Sequence, residues 1–195
     1  CARKVMDLLT EIGCVDVHLE RYDKSPIVMG TLKSDVPDAP GIFMYGMYDC
    51  QPPEPLEAWT VPPFEGVIKS YAQYGECMIA RGVANSKAPL VCFINAVDAI
   101  KQVLGSLPVN ITFVVEGEEE LGSKSMIGWV DKHLDELRAS EGVFLNGTRQ
   151  DEKGRPFTIL DNKGVLYLDI EVTGGKWGGP KDVDLHSMNA AWVSS

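Results

Sequence analysis

Apolar and polar positions alternate in two rhythms along this chain. Over residues 2–13, Val5, Met6, Leu8, Leu9 and Ile12 can share one helical face, and Gly13 is placed to cap it. Residues 15–19 alternate weakly, while 27–32 and 41–45 are short and apolar, so each predicts a strand. Residues 35–40 read as a turn, which makes the opening a helix followed by a meander of strands. Further on, the pattern predicts a short strand at 77–80, a helix from Leu90 to Val103 and a buried strand over 109–115. An amphipathic helix is expected over 123–138, with Met126, Trp129, Val130, Leu134 and Leu137 on one face. A short strand follows at 143–145, ending at Asn146-Gly147, then a polar turn over 150–156. Residues 164–172 alternate as a strand of another sheet would. Strands interleaved with helices predict an α/β fold, a central mostly parallel or mixed sheet flanked by helices. The boundary is expected near residues 162–164, which separates 1–162 from 163–195.

Candidate chemistry sits where the strands end. The stretch from Val114 to Ser123 runs from an apolar strand into Glu116, Glu118, Glu119 and Glu120, with Gly117 where the backbone can bend. Carboxylates so close to a core need a cation or hydrogen-bond donors, or they take up a proton. In open α/β sheets, sites gather beyond the carboxyl ends of strands, where a general base and a metal ligand can both be supplied. The proline-studded loop Met47-Tyr48-Asp49-Cys50-Gln51-Pro52-Pro53 follows another such strand. Before the helix at 90, Asn85 or Ser86 can act as a cap and Pro89 suits the first turn.

Charge narrows the function. A net charge of −10 argues against a general binder of phosphate backbones, so no nucleic-acid partner is expected. No apolar run reaches membrane-spanning length, so no membrane is expected either. Cys1, Cys14, Cys50, Cys77 and Cys92 are scattered and odd in number, which favours reduced thiols and a cytoplasmic location over a disulfide framework. His18, His133 and His186 lie far apart and offer no zinc spacing. Opening on Cys1 and closing on Val193-Ser194-Ser195, the chain reads as a piece of a longer protein.

Five segments taken together add a resemblance: YGMYDCQPPEPLEAWTVPPFE, ARGVANSKAP, FVVEGEEELGS, KGVLYLDIEVTG and DLHS. In this order they resemble the carnosinase-like dipeptidases, aminoacylases, acetylornithine deacetylases and succinyl-diaminopimelate desuccinylases, which are two-zinc exopeptidases and deacylases. The resemblance implies a zinc-exopeptidase-like α/β domain followed by the start of an α+β lid or dimerisation domain. It implies two Zn2+ per site, a short peptide or N-acyl amino acid as substrate, and a homodimer formed through the lid of the full-length protein. It also implies roles. Asp49 would orient a metal-binding His, but that position is Met47. Asn85 stands where an aspartate would bridge both metals. Glu119 would be the general base, Glu120 a metal ligand, and Asn146 stands at a further acidic ligand. His186 would stabilise the transition state. Met47, Asn85 and Asn146 therefore replace three of the four ligands expected in this segment. A bridging amide cannot offset the repulsion of two dications as a carboxylate does. Two expectations follow: an amide hydrolase with Glu119 as base, or a metal-poor, catalytically inactive homologue that binds a small ligand or serves as a dimer subunit. Without a cation, Glu120 would be protonated or paired with a donor such as Arg81 or Lys87.

Overall fold

A computed structural model describes residues 1–145, the backbone of 149 and 150, residues 153–157, and residues 164, 166, 168 and 170. The chain divides into two compact units, Cys1–Phe157 and Thr158–Ser195. The main sheet and its flanking helices belong to the first unit. Of the strand expected at 164–172 only residues 164, 166, 168 and 170 are described, and the candidates Asn146 and His186 lie outside the described residues.

Helix α1 (Ala2–Glu11) leads into strands β1 (Val15–Glu20), β2 (Ile27–Leu32) and β3 (Gly41–Met47). Gly13 follows the helix at a φ of +89°, and its N–H bonds to the Thr10 carbonyl. Strands β4 (Val67–Tyr71) and β5 (Gly75–Ile79) come next, then α2 (Ala88–Leu104), β6 (Asn110–Glu116), α3 (Lys124–Ala139) and β7 (Gly142–Leu145). The segment expected as a polar turn after residue 150 is a small hairpin, β8 (Arg149–Gln150) against β9 (Pro156–Phe157).

The main sheet has the order β1-β2-β6-β3-β7. Strands β3, β6 and β7 are mutually parallel, whereas β2 runs against β6 and β1 against β2. The expected meander is therefore corrected. Strand β6, far away in sequence, is inserted between β2 and β3, because it is apolar on both sides and belongs at the centre. Phe113, Val115 and Ile111 face α1 and α2 in a core with Leu9, Val28, Leu32, Met44, Leu90 and Ile94. Val114 faces the other way, toward Trp129 of α3, with Ile27, Met29 and Phe43. The period-2 alternation thus feeds two helical layers from one sheet.

Of the face expected for α3, Trp129 is buried and Met126 and Leu137 pack beside it, whereas Val130 and Leu134 are exposed. Ser125, Trp129 and His133 are its buried residues, and Leu134 is 38% exposed. His133 is drawn inward because it stacks on Trp129 and meets Glu20 of β1. Strand β5 is expected from the pattern at 77–80, but its partner β4 is not. The two form a separate antiparallel hairpin with Ile68 opposite Met78, both exposed.

Candidate active site at the strand ends

Parallel pairing puts the carboxyl ends of β3 and β6 side by side, with Met47 opposite Glu116. One further backbone bond, Tyr48 N–H to the Glu116 carbonyl at 2.8 Å, continues the ladder past the strands. The Tyr48 ring then lies close against Gly117. A Cβ there would fall 2.3 Å from the ring's Cζ, so close approach, and not a bend, is what requires glycine. The Tyr48 hydroxyl donates to the Pro26 carbonyl at 2.6 Å.

The four glutamates part company. Glu116 is 0% exposed. The hydroxyls of Tyr45 and Ser123 donate to its Oε1, and its Oε2 is buried with no partner among the described residues. Burial raises its pKa; the two hydroxyls oppose this, and Asp49 and Glu119 add to it. The Tyr45 phenol is pushed up in turn by burial and by this carboxylate. Glu118, also buried, accepts from the backbone N–H of Ser25 and from both the N–H (3.1 Å) and hydroxyl (3.0 Å) of Ser125 in the first turn of α3. Burial opposes its charge, but these donors outweigh burial and hold the carboxyl below its ordinary range. Glu118 is thus a structural anion at a helix start.

Glu119 and Glu120 begin a single 3-10 turn, Glu119–Leu121, and are half-buried. The Glu119 carboxyl is raised by burial, then by Glu120 and Asp49. Glu120 is held by two loops at once. Its N–H donates to Asp49 Oδ2 at 3.0 Å. Gln51 Nε2 donates to its Oε2 at 2.6 Å, and Asn85 Nδ2 to its Oε1 at 3.0 Å. The donors expected for it, Arg81 and Lys87, go elsewhere. Arg81 lies over the Trp59 ring at 4.7 Å, and Lys87 Nζ donates to the Asp49 carbonyl at 3.0 Å.

The expected cap is likewise corrected. Neither Asn85 nor Ser86 caps α2; the residue before the helix is Lys87, with no side-chain cap, while Pro89 does sit in the first turn. Asn85 is drawn to Glu120 instead, and the Ser86 hydroxyl donates to the Met47 carbonyl at 3.3 Å. Their joining peptide is cis.

The structure therefore brings Met47, Asp49, Asn85, Glu119 and Glu120 to one end of the sheet. Gln51 was missed from sequence because nothing in its spacing points at Glu120. Also missed was the convergence of His18 and His133 on Glu20, with Lys132 at 2.9 Å and the Tyr22 hydroxyl. That cluster joins Glu20, the last residue of the edge strand β1, to α3.

Do these groups suit a two-metal centre? A thioether at Met47 is a soft neutral donor, ill matched to oxygen ligands around zinc. An amide that faces a carboxylate must present its N–H, so Asn85 meets Glu120 as a donor and not as a ligand oxygen. Both oxygens of Glu120 are occupied by amide donors. Among the described residues, no group of three His, Cys, Asp or Glu side chains is arranged to hold a metal ion. Among the described residues, the donor set does not fit.

The model of the peptidase family M20/M25/M40 matches residues 43–191. The chain belongs to this family. A Cys-Gly metallodipeptidase of Saccharomyces cerevisiae is 37% identical over 83% of this chain and 32% of its own length. A Beta-Ala-His dipeptidase of Mus musculus is 29% identical over 83% of this chain and 31% of its own. Among solved structures, an M20 family metallo-carboxypeptidase from Sulfolobus solfataricus superposes with a TM-score of 0.63 at 26% identity, covering 79% of this chain and 33% of that one. Human carnosine dipeptidase 1 does so with a TM-score of 0.60 at 28% identity, covering 73% and 31%. The chain spans about a third of the length of these relatives. The mixed sheet flanked by helices is thus the M20 fold, and its relatives are metallopeptidases that include dipeptidases.

Proposed function

We propose that the protein built on this M20 segment binds a dipeptide or N-acyl amino acid in the strand-end cleft without hydrolysing it through a two-zinc centre. The observation that supports this is the amide of Asn85 on Glu120, a donor where a bridging carboxylate would be needed. The relatives' names supply the ligand class, β-Ala-His and Cys-Gly dipeptides. In this reading residues 1–162 are the N-terminal part of a catalytic-type domain. Residues 163–195 open a lid domain through which the full-length protein pairs as a homodimer, with His186 on the lid. The free thiols of all five cysteines suit a cytoplasmic location. No described helix is long and apolar enough to cross a membrane.

The test is calorimetric titration of the full-length protein with each dipeptide, followed by analysis of the peptide after prolonged incubation. Saturable binding with the peptide recovered whole is the expected result. Steady release of free amino acids would overturn it.

A second reading is favoured by one observation. The pair Glu119-Glu120 is intact at the end of β6, and burial, then Glu120 and Asp49, raise the Glu119 carboxyl above its ordinary range, the direction that strengthens a general base. In that reading the protein hydrolyses the amide, with Glu119 taking and returning the proton. Turnover that is lost on Glu119→Gln would establish it.

A further inference from the structure

We infer that the side-chain amides of Asn85 and Gln51 take the place of a cation in closing this cleft, and that the amide nitrogen of Asn85 is what keeps it from depending on one. The inference rests on the reading that the cleft works without metal.

Three loops meet at Glu120: the loop after β3 with Asp49 and Gln51, the segment before α2 with Asn85, and the turn after β6. Every polar atom of Glu120 is used to join them. Its N–H goes to Asp49 Oδ2, its carbonyl and Oε2 accept from Gln51, and its Oε1 accepts from Asn85. Lys87 Nζ on the Asp49 carbonyl and the Ser86 hydroxyl on the Met47 carbonyl tie the same two loops from the other side. A cation seated among carboxylates would draw such loops together by charge. Here the positive ends of two amide dipoles point at one carboxylate and do so without net charge. Those N–H groups also repel a cation from the oxygens they cover. With aspartate in place of Asn85, two carboxylates would face each other at the 3.0 Å now spanned by a hydrogen bond. Only a proton or a cation could then hold them together.

Thermal unfolding of the full-length protein tests this, with EDTA and with added zinc. The wild type should melt at the same temperature in both, within about 1 °C, whereas Asn85→Asp should melt roughly 3–6 °C lower in EDTA and recover most of that with zinc. Asn85→Ala should melt lower than wild type and gain nothing from zinc, since it adds no carboxylate. Gln51→Glu places the second carboxylate on the other oxygen and should repeat the zinc-dependent pattern, which keeps the test open if Asn85→Asp fails to fold. A wild type that loses stability in EDTA and regains it with zinc overturns the inference. So does an Asn85→Asp variant that melts like wild type in EDTA, or a zinc gain equal in all variants. A protein that shows the expected melts but binds neither dipeptide refutes the binding reading and leaves the clamp. One that binds dipeptides yet melts early in EDTA does the reverse.

Discussion

Gly117→Ala is the sharpest perturbation available at the strand ends. The added methyl would lie 2.3 Å from Tyr48 Cζ and 2.4 Å from both Cε2 and the hydroxyl oxygen. Ordinary carbon contacts lie at about 3.5–4.0 Å, so ring or backbone must move by more than about 1 Å. Tyr48 has nowhere to go, being 8% exposed and packed among core residues. Moving it surrenders the hydroxyl bond to Pro26, worth about 1 kcal/mol, on top of about 1–3 kcal/mol for overpacking. The sum is about 2–4 kcal/mol, large for one methyl group. Equilibrium urea denaturation of four proteins would measure it: wild type, Gly117→Ala, Tyr48→Ala and the double variant. Tyr48→Ala alone should cost about 3–5 kcal/mol by cavity formation. The double variant should cost little more, because the methyl group then enters the space the ring has left. A Gly117→Ala cost below about 1 kcal/mol, or costs that add within about 0.5 kcal/mol, would refute the reasoning.

Glu20→Gln should destabilise the protein near neutral pH. Burial would raise the Glu20 pKa, but bonds from Tyr22, Lys132, His133 and His18 hold it down to about 2. Its stabilisation is therefore present above the ordinary value of 4.5 and lost as pH falls toward 2, so the gap between wild type and variant in urea midpoints should shrink across that window. A gap that is constant or widens on acidification would count against the cluster. Glu118→Ala should strand the half-buried N–H of Ser25 and the buried N–H of Ser125 at a cost of about 2–4 kcal/mol, with hydrogen exchange accelerated over wild type more at Ser125 than at Leu137. Unchanged exchange at Ser125 would rule out that anchoring role.

Much of the fold is legible in the pattern because its central strands, β2, β3 and β6, are largely buried. Ile27–Leu32 coincides with the apolar run that predicts it, and β3 and β6 differ from expectation only at their ends. Strand order is not legible, since a doubly apolar strand such as β6 advertises burial but not its neighbours. Nor is the β4 strand, whose Ile68 and Tyr71 lie among polar residues on an exposed hairpin. At the site, Asp49, Asn85, Glu119 and Glu120 could be picked out by resemblance to the family's motifs, but their bonding could not. Asn85 reads as a cap by local rules and is diverted by Glu120, thirty-five positions away. Glu118 reads as one more acid in a run, and only the approach of Ser25 and Ser125 shows it to be a fixed anion. His18 and His133 look unrelated until β1 and α3 are packed together.

Inserting β6 between β2 and β3 has a consequence for biosynthesis. Val28 pairs with Val115 and Phe43 with Thr112, so neither bond network can form until the ribosome has translated β6 and released it from the exit tunnel. During that interval β3 is an apolar segment with no partner strand, a state that favours misassociation of nascent chains. Chaperone demand during synthesis should therefore peak before β6 emerges and fall once it is free to pair.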